Sequence, residues 1–297
     1  SRNPHSIPMS DLLHQVISGY HQAVRTLRKE VLDASPSQWR LAADTVARLY
    51  IAPKDLRIER FDWQGMPTES IRRASIKKDA KPIIWIHGGG FAFCSPRTHR
   101  AAASAISKVT QRPVWLPEYP LAPEHPYPAA LNALTLIQHD DPMDIIGDSA
   151  GGNLALSWGL RRSAQDRLLL LSPWLDLRVD AHSAQMNAAA HSAFDREDLR
   201  EYASLYLKGH SPNQEECSPV LAPYEALRGI QSVYIESSKS ELLHSDSLAF
   251  TKRCRDAGIS VEHRIEDSAH HGWCLFPDLL PEAKRSVEHM ARFLANP

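Results

Sequence analysis

The stretch Asp144-Ile-Ile-Gly-Asp-Ser149-Ala-Gly-Gly-Asn153 decides the predicted fold, because it reads as a buried strand, a tight turn and a helix. Gly147 and Gly151 stand two residues before and two residues after the serine, so no Cβ atom crowds a sharp strand-to-helix turn. Such a turn lifts the Ser149 hydroxyl above the sheet. The pattern predicts a nucleophilic serine, although short matches of this kind also occur by chance in loops.

A second glycine-rich turn makes the prediction of a nucleophilic Ser149 more specific. The continuous apolar run at 82–86 predicts a strand buried on both faces, and His87-Gly88-Gly89-Gly90 follows it. Three glycines alone indicate only a flexible turn. Ahead of an elbow serine that also follows a buried strand, they indicate backbone N–H groups that approach a ligand closely, as an oxyanion hole requires. The N–H of Ala150, at a helix N-terminus, is a further candidate donor.

Composition limits the classes of partner. The 297 residues carry a formal net charge of -1, which offers no basic field for nucleic acid. Four cysteines lack C-x-x-C spacing, which argues against a zinc site and a secreted disulfide framework and favours reduced thiols in the cytoplasm. No apolar run is long enough for a membrane span, and the first residues lack a signal-peptide core. We therefore expect a small neutral ligand, no metal and no cofactor.

The order of elements predicts a mostly parallel α/β sheet, because strands and helices alternate after an initial hairpin. The predicted strands cover residues 56–62, 69–75, 82–86, 113–116, 144–148, 167–172, 232–237 and 261–265. The predicted helices cover residues 10–32, 36–50, 98–110, 129–138, 150–162, 196–206, 246–257 and 281–294.

Two regions outside this alternation predict a helical cap. Residues 1–50 contain two helices before any strand, and we interpret them as a first cap segment or an arm that packs on the body. Residues 178–229 form a long excursion without an obvious strand, which indicates a second cap segment inserted in a catalytic domain of residues 51–297.

A serine nucleophile needs a histidine base and a carboxylate that holds this base. After the last strand, His271 precedes a glycine that allows a tight turn, and His270 is its local rival. In the preceding loop, Glu241 and Asp246 are the candidate acids. Asp246 has a purely structural explanation, because it follows a predicted N-cap, Ser245, in the first turn of a helix. We therefore favour Glu241 and His271.

These motifs together resemble the hormone-sensitive-lipase-like branch of the α/β-hydrolases, the bacterial family IV esterases. The resemblance covers about residues 50–297 and rests on His87-Gly88-Gly89-Gly90, Gly147-Asp148-Ser149-Ala150-Gly151-Gly152, Leu121-Ala-Pro-Glu-His-Pro-Tyr-Pro128 and the order serine, acid, histidine. It implies an eight-stranded sheet, a helical cap and metal-free hydrolysis of carboxylic esters. It also implies that the oxyanion donors are the N–H groups of Gly88, Gly89 and Ala150.

The chain departs from this family at three places, one of which is a shorter segment between Ala130 and the elbow strand that trims a helix on the sheet face away from the catalytic loops. Glu118-Tyr119-Pro120 stands where the family usually has Asp-Tyr-Arg, and Glu241-Leu-Leu stands where many members have Asp-Pro-Leu. The function predicted is a serine carboxylesterase for short-to-medium acyl esters, as a monomer or a dimer. The alternatives are the same triad acting on an amide, lactone or carbamate, and a small-ligand receptor that has lost catalysis. The presence of His271 argues against the receptor.

Overall fold

A single sheet organises the part of the chain described by the computed structural model, residues 35–179 and 194–296. Within it, eight strands run in the order β1-β2-β4-β3-β5-β6-β7-β8. They are β1 Leu56–Trp63, β2 Met66–Arg73, β3 Ile83–Ile86, β4 Val114–Pro117, β5 Asp144–Asp148, β6 Asp166–Leu171, β7 Ile230–Ser238 and β8 Ser260–Glu266. Strands β3 to β8 pair in parallel, and β2 runs against both of its neighbours. The predicted mostly parallel eight-stranded sheet is confirmed.

Helices cover both faces of this sheet, as parallel strands with helical crossovers require. They are α1 Pro36–Ala47, α2 Pro96–Thr110, α3 Ala129–Thr135, α4 Ala150–Arg162, α5 Arg196–Leu207, α6 Tyr224–Leu227, α7 His244–Asp256 and α8 Pro281–Ala295. Ile83 and Trp85 face one apolar cluster with α2 and α8, whereas Ile84 and Ile86 face the other with α3, α4 and α7. Successive side chains of a strand point to opposite faces, so an unbroken apolar run is needed where both faces are covered.

The hairpin at the sheet edge is tighter than its sequence indicated. Gln64 and Gly65, with φ of 54° and 91°, form the whole turn, and β2 begins at Met66 rather than at residue 69. Two consecutive left-handed residues give a turn whose twist matches that of the flanking strands. Pro67 therefore lies inside β2, just before the pairing with β4 begins at Thr68.

Local signals predicted the helix at residues 36–47 well. Ser35 occupies the N-cap position, and its N–H donates to the Gln38 side chain at 2.7 Å, as expected of a capping box. The helix predicted at residues 10–32 lies outside the described residues, as does most of the first cap segment. No helix within residues 35–179 or 194–296 is both long and apolar enough to cross a membrane.

Candidate active site

The turn between β5 and α4 has the geometry of a nucleophile elbow. Ser149 adopts φ 52° and ψ -122°, a conformation that a non-glycine residue keeps only when its surroundings hold it there. A Cβ at Gly147 would lie 2.5 Å from the carbonyl oxygen of Gly151. A Cβ at Gly151 would overlap the carbonyl oxygens of Ile86 and His87. Each glycine is therefore required by a close backbone approach, and Gly151 packs the elbow directly against the end of β3.

The Ser149 hydroxyl is partly exposed on this turn. Its Oγ has no hydrogen-bond partner among the described residues, while its backbone N–H donates to Leu171 and its carbonyl accepts from Trp174, at 3.0 and 2.9 Å. The backbone is thus anchored to the neighbouring strand and the loop that follows it. Hydrogen bonds of catalytic groups are often formed fully only when substrate is bound, so a free hydroxyl is compatible with a nucleophile.

The glycine loop after β3 does not use its three N–H groups as the sequence predicted. Gly88 N–H donates to the Asp148 carboxylate at 3.1 Å. The N–H groups of Gly89, Gly90 and Ala150 have no acceptor among the described residues. The prediction of Gly88 as an oxyanion donor is therefore corrected, and Gly90 takes its place in the donor set proposed below. Sequence could not show this, because the Asp148 acceptor lies 60 residues away.

A buried carboxylate and a histidine meet beyond the ends of β7 and β8. His271 Nδ1 lies 3.0 Å from Glu241 Oε2, and the other oxygen of Glu241 accepts the Ser238 N–H at 2.8 Å. Glu241 is 1% exposed, so its charge is screened little by water. The Phe194 and His271 rings pack edge to face with centroids 4.7 Å apart. Both ends of the carboxylate are occupied, which holds its plane toward the imidazole.

Asp246, the rival acid, serves a different part of the fold. Its Oδ2 accepts the N–H groups of Leu175 and Asp176 at 2.8 and 2.9 Å, and the residue has no exposed surface. The prediction of Ser245 as an N-cap is wrong, because α7 begins at His244 with Leu243 in the cap position. Asp246 does lie in the first turn of α7, as predicted, and its carboxylate binds the loop after β6.

The rival histidine, His270, is a buried residue of the turn that carries His271. His270 is 4% exposed, and its carbonyl accepts the N–H of Trp273 in the turn that follows. Gly272, at φ 77°, takes up the left-handed conformation of that turn, as its position after His271 suggested.

The first helix lies over the glycine loop. Arg40 donates to the carbonyl oxygens of Ala92 and Ala122, both at 2.7 Å, and pairs with Glu124 at 2.6 Å. The Arg40 guanidinium thus joins α1 to the end of the glycine loop and to the proline-rich loop at residues 121–128.

Helix α5 completes an aromatic group above the same loop. Tyr202 packs edge-on against Trp39 at 5.6 Å and lies 5.5 Å from Phe93, centroid to centroid. A Cβ at Gly90 would lie 2.9 Å from the Tyr202 ring. The two regions that sequence assigned to a cap, as far as they are described, therefore contact each other and the candidate site.

Comparison with known proteins identifies the family. A model of the alpha/beta hydrolase fold matches residues 83–275, and the chain therefore belongs to the alpha/beta hydrolase fold family. An esterase of Acinetobacter venetianus is 31% identical over 276 residues, which cover 88% of this chain and 89% of the relative. An acetyl-hydrolase of Streptomyces hygroscopicus is 29% identical over 231 residues, covering 73% of this chain and 76% of the relative.

Solved structures agree with this assignment. The crystal structure of an esterase from the bacterial hormone-sensitive lipase family superposes with a TM-score of 0.82, covering 97% of this chain and 98% of the other. At 24% identity this likeness shows the shared fold. Together with the family match and the curated relatives, it supports an esterase of the alpha/beta hydrolase fold, and the hormone-sensitive-lipase-like branch stays a prediction from the motifs.

Proposed function

We propose that the protein is a serine carboxylesterase that hydrolyses short-to-medium acyl esters. The observation that carries this proposal is the 3.0 Å contact between buried Glu241 and His271, at the same end of the sheet as an elbow serine. The three residues follow the carboxyl ends of the parallel strands β5, β7 and β8, which lie together although these strands are distant in the chain. The names of the relatives, esterase and acetyl-hydrolase, support an acyl-ester substrate.

In the proposed mechanism, Ser149 Oγ attacks the ester carbonyl while His271 takes the hydroxyl proton. Glu241 accepts the Nδ1–H of His271, which fixes the tautomer and offsets the imidazolium charge. The carbonyl oxygen becomes an oxyanion that the N–H groups of Gly89, Gly90 and Ala150 stabilise. His271 then returns the proton to the leaving alcohol. Water then attacks the acyl-enzyme carbonyl while His271 takes one of its protons, and His271 returns that proton to Ser149 Oγ as the acid is released.

The cap is part of this proposal. Helix α1 and helix α5, within the proposed segments 1–50 and 178–229, would form the roof of the acyl and alcohol pockets through their aromatic contacts above the glycine loop. We propose no membrane or nucleic-acid partner, and a cytoplasmic location stays a prediction from cysteine spacing. An amide, lactone or carbamate would use the same residues, so only turnover of each class separates these substrates from esters.

Covalent labelling and an ester series test the proposal together. A fluorophosphonate should modify the wild type at Ser149, and Ser149→Ala should lose labelling and reduce kcat/KM on p-nitrophenyl butyrate by about 10⁵- to 10⁶-fold. The matched control is Ser268→Ala, an exposed serine of the loop that carries His271, which should label and turn over like the wild type. An adduct on another serine, or unlabelled protein that binds esters without hydrolysing them, would contradict the proposal and favour the receptor alternative.

A further inference from the structure

Three hydrogen bonds converge on one oxygen of a buried carboxylate below the elbow. Asp148 Oδ1 accepts from Trp85 Nε1, from the Gly88 N–H and from His99 Nε2, at 2.9, 3.1 and 3.0 Å. Asp148 is 5% exposed and His99 is completely buried. The residue before the proposed nucleophile thus joins β3, the glycine loop and helix α2. The proposed reaction scheme uses neither Asp148 nor His99.

The same network controls the orientation of the peptide that carries Gly89 N–H. Gly88 is held on one side by its N–H bond to Asp148, and on the other its carbonyl accepts His87 Nδ1–H at 2.7 Å. The carbonyl of His87 in turn accepts the Tyr119 hydroxyl, also at 2.7 Å. In a planar trans peptide, N–H points opposite to the preceding carbonyl. Fixing the Gly88 carbonyl therefore fixes the direction of Gly89 N–H.

The charge states in this network follow from burial and contacts. Burial and the neighbouring His99 lower the pKa of His87 to about 3, so its ring is neutral and its Nδ1–H is free to donate to Gly88. Burial acts to raise the pKa of Asp148, but His99 and the Trp85 hydrogen bond outweigh it, so the carboxyl pKa lies below its usual range. An ionised Asp148 only accepts, and His99 must carry a proton on Nε2.

The contact between Asp148 and the glycine loop is tight enough to transmit a small movement. A Cβ at Gly88 would overlap the Asp148 side chain, so only glycine fits beside this carboxylate. A rotation of Asp148 would therefore displace Gly88 rather than be absorbed by empty space. His99 is the one donor of the three that comes from a helix flanking the sheet, and its Nδ1 is in turn 2.8 Å from Thr98 Oγ1.

From this geometry we infer that His99 is a positioning residue of the esterase reaction. It holds the Asp148 carboxylate, and through it the Gly88–Gly89 backbone, in the orientation that directs N–H groups toward the oxyanion. The inference rests on the proposed function and extends it beyond the glycine loop and the three reacting side chains. Because the oxyanion exists only in the transition state and the intermediates, a loss of this orientation lowers kcat and leaves KM nearly unchanged.

A pair of variants at one position separates the role of the donor from general effects of substitution. In His99→Gln the side-chain amide reaches the place of Nε2 and keeps a donor for Asp148. In His99→Asn the amide is one methylene too short. We expect His99→Asn to lower kcat by about 10- to 100-fold, and His99→Gln to stay within about 5-fold of the wild type. Both variants bury a neutral amide, so each serves as the other's control for desolvation.

Two further measurements distinguish positioning from a structural role. All rates are expressed per site titrated with the fluorophosphonate, which removes misfolded protein from the comparison. The inhibition constant of a trifluoromethyl ketone, whose adduct with serine carries an oxyanion, should rise in His99→Asn in parallel with the fall in kcat/KM. Thr98→Val removes the partner of His99 Nδ1 and also the Thr98 contacts with Ser95 at the start of α2. It should show the same pattern at about 3- to 10-fold, whereas Thr98→Ser, which keeps the hydroxyl, should stay near the wild type. This pair covers the case in which neither variant at 99 folds.

The outcomes are distinct. Wild-type kcat per titrated site in His99→Asn, or in Thr98→Val where the others do not fold, overturns the inference and leaves the proposed function intact. Equal losses in His99→Asn and His99→Gln that follow their melting temperatures also overturn it. A wild type that neither titrates nor hydrolyses esters overturns the proposed function, and the inference with it. A selective loss in His99→Asn, with matching weakening of the ketone, supports the inference.

Discussion

The serine half and the acid–histidine half of the candidate site are held by different means. On the serine side, backbone packs directly on backbone at Gly147 and Gly151, and Gly88 packs on the Asp148 carboxylate, so only glycine fits at these three positions. On the other side, side-chain hydrogen bonds such as that between Glu241 and His271 hold loops at the ends of β7 and β8. Close backbone packing restricts residue identity strongly, whereas several polar residues can make one hydrogen bond. The serine half can therefore be predicted from sequence, whereas the sequence leaves more than one candidate for the acid and for the histidine.

After Ser149→Ala, the largest expected effect comes from a substitution in the acid–histidine half. Glu241→Gln keeps the shape of the side chain but offers an amide where a carboxylate must accept the imidazole proton and offset its charge. We expect kcat to fall by up to about 10⁴-fold, with circular dichroism unchanged. Initial rates on p-nitrophenyl butyrate, per mole of folded protein, provide the measurement.

Asp246→Asn is the matched control for that change. It weakens the acceptor of two buried backbone N–H groups, so it should reduce the free energy of unfolding by about 1 to 3 kcal/mol and change kcat less than 10-fold. A nearly inactive Asp246→Asn beside an active Glu241→Gln would reverse the assignment of the acid.

The next effect tests the backbone packing of the serine half. Gly151→Ala places a methyl group against the carbonyl oxygens of Ile86 and His87, and backbone on both sides has no room to move. We expect a loss of about 3 kcal/mol in the free energy of unfolding, measured by urea denaturation. In the same helix, Gly159→Ala meets only the Leu168 side chain at 3.3 Å and should change stability by less than about 1 kcal/mol. Similar values for the two variants would refute the packing argument.

The smallest expected effect is a difference between the two halves in how their contributions to stability depend on pH. Burial and His244 lower the pKa of His263 to about 4, and its ring bonds to the Ser237 hydroxyl at 2.7 Å on the acid side. His87, on the serine side, has its pKa lowered to about 3. The unfolded chain takes up these protons near pH 6.5, so their contribution to stability is complete above that pH and is lost as pH falls toward 4 and then 3.

As pH falls, His263 should therefore lose its contribution to the stability of the fold before His87 does, because its pKa in the folded chain is higher. Urea midpoints of the wild type and of His263→Gln, measured from pH 8 to pH 4, should converge as pH falls from 6.5 to 4, because the variant lacks one titrating group. Midpoints that stay parallel over that range would mean that His263 does not titrate differently in the folded and unfolded chains.

Much of this molecule could be predicted from its sequence because the signals are local. Apolar runs such as 82–86 identify strands covered on both faces, and Ser35 with Gln38 marks the start of α1. The glycines around Ser149 and the strand before them predict a sharp strand-to-helix turn, and in the structure Ser149 stands between β5 and α4 with a φ of 52°. In each case the residues that interact lie within a few positions of one another, so their spacing carries the information.

Tertiary structure alone decided which polar groups meet. Asp148, known from sequence only as a neighbour of Ser149, gathers donors from β3, the glycine loop and α2, and so withdraws Gly88 N–H from the donor set. Glu241 and Asp246 are both carboxylates near the start of one helix, yet the first faces His271 and the second faces the loop after β6. Their roles depend on side-chain directions set by packing between elements distant in sequence. A buried polar residue needs a hydrogen-bond partner, and only the folded chain determines which partner lies within reach.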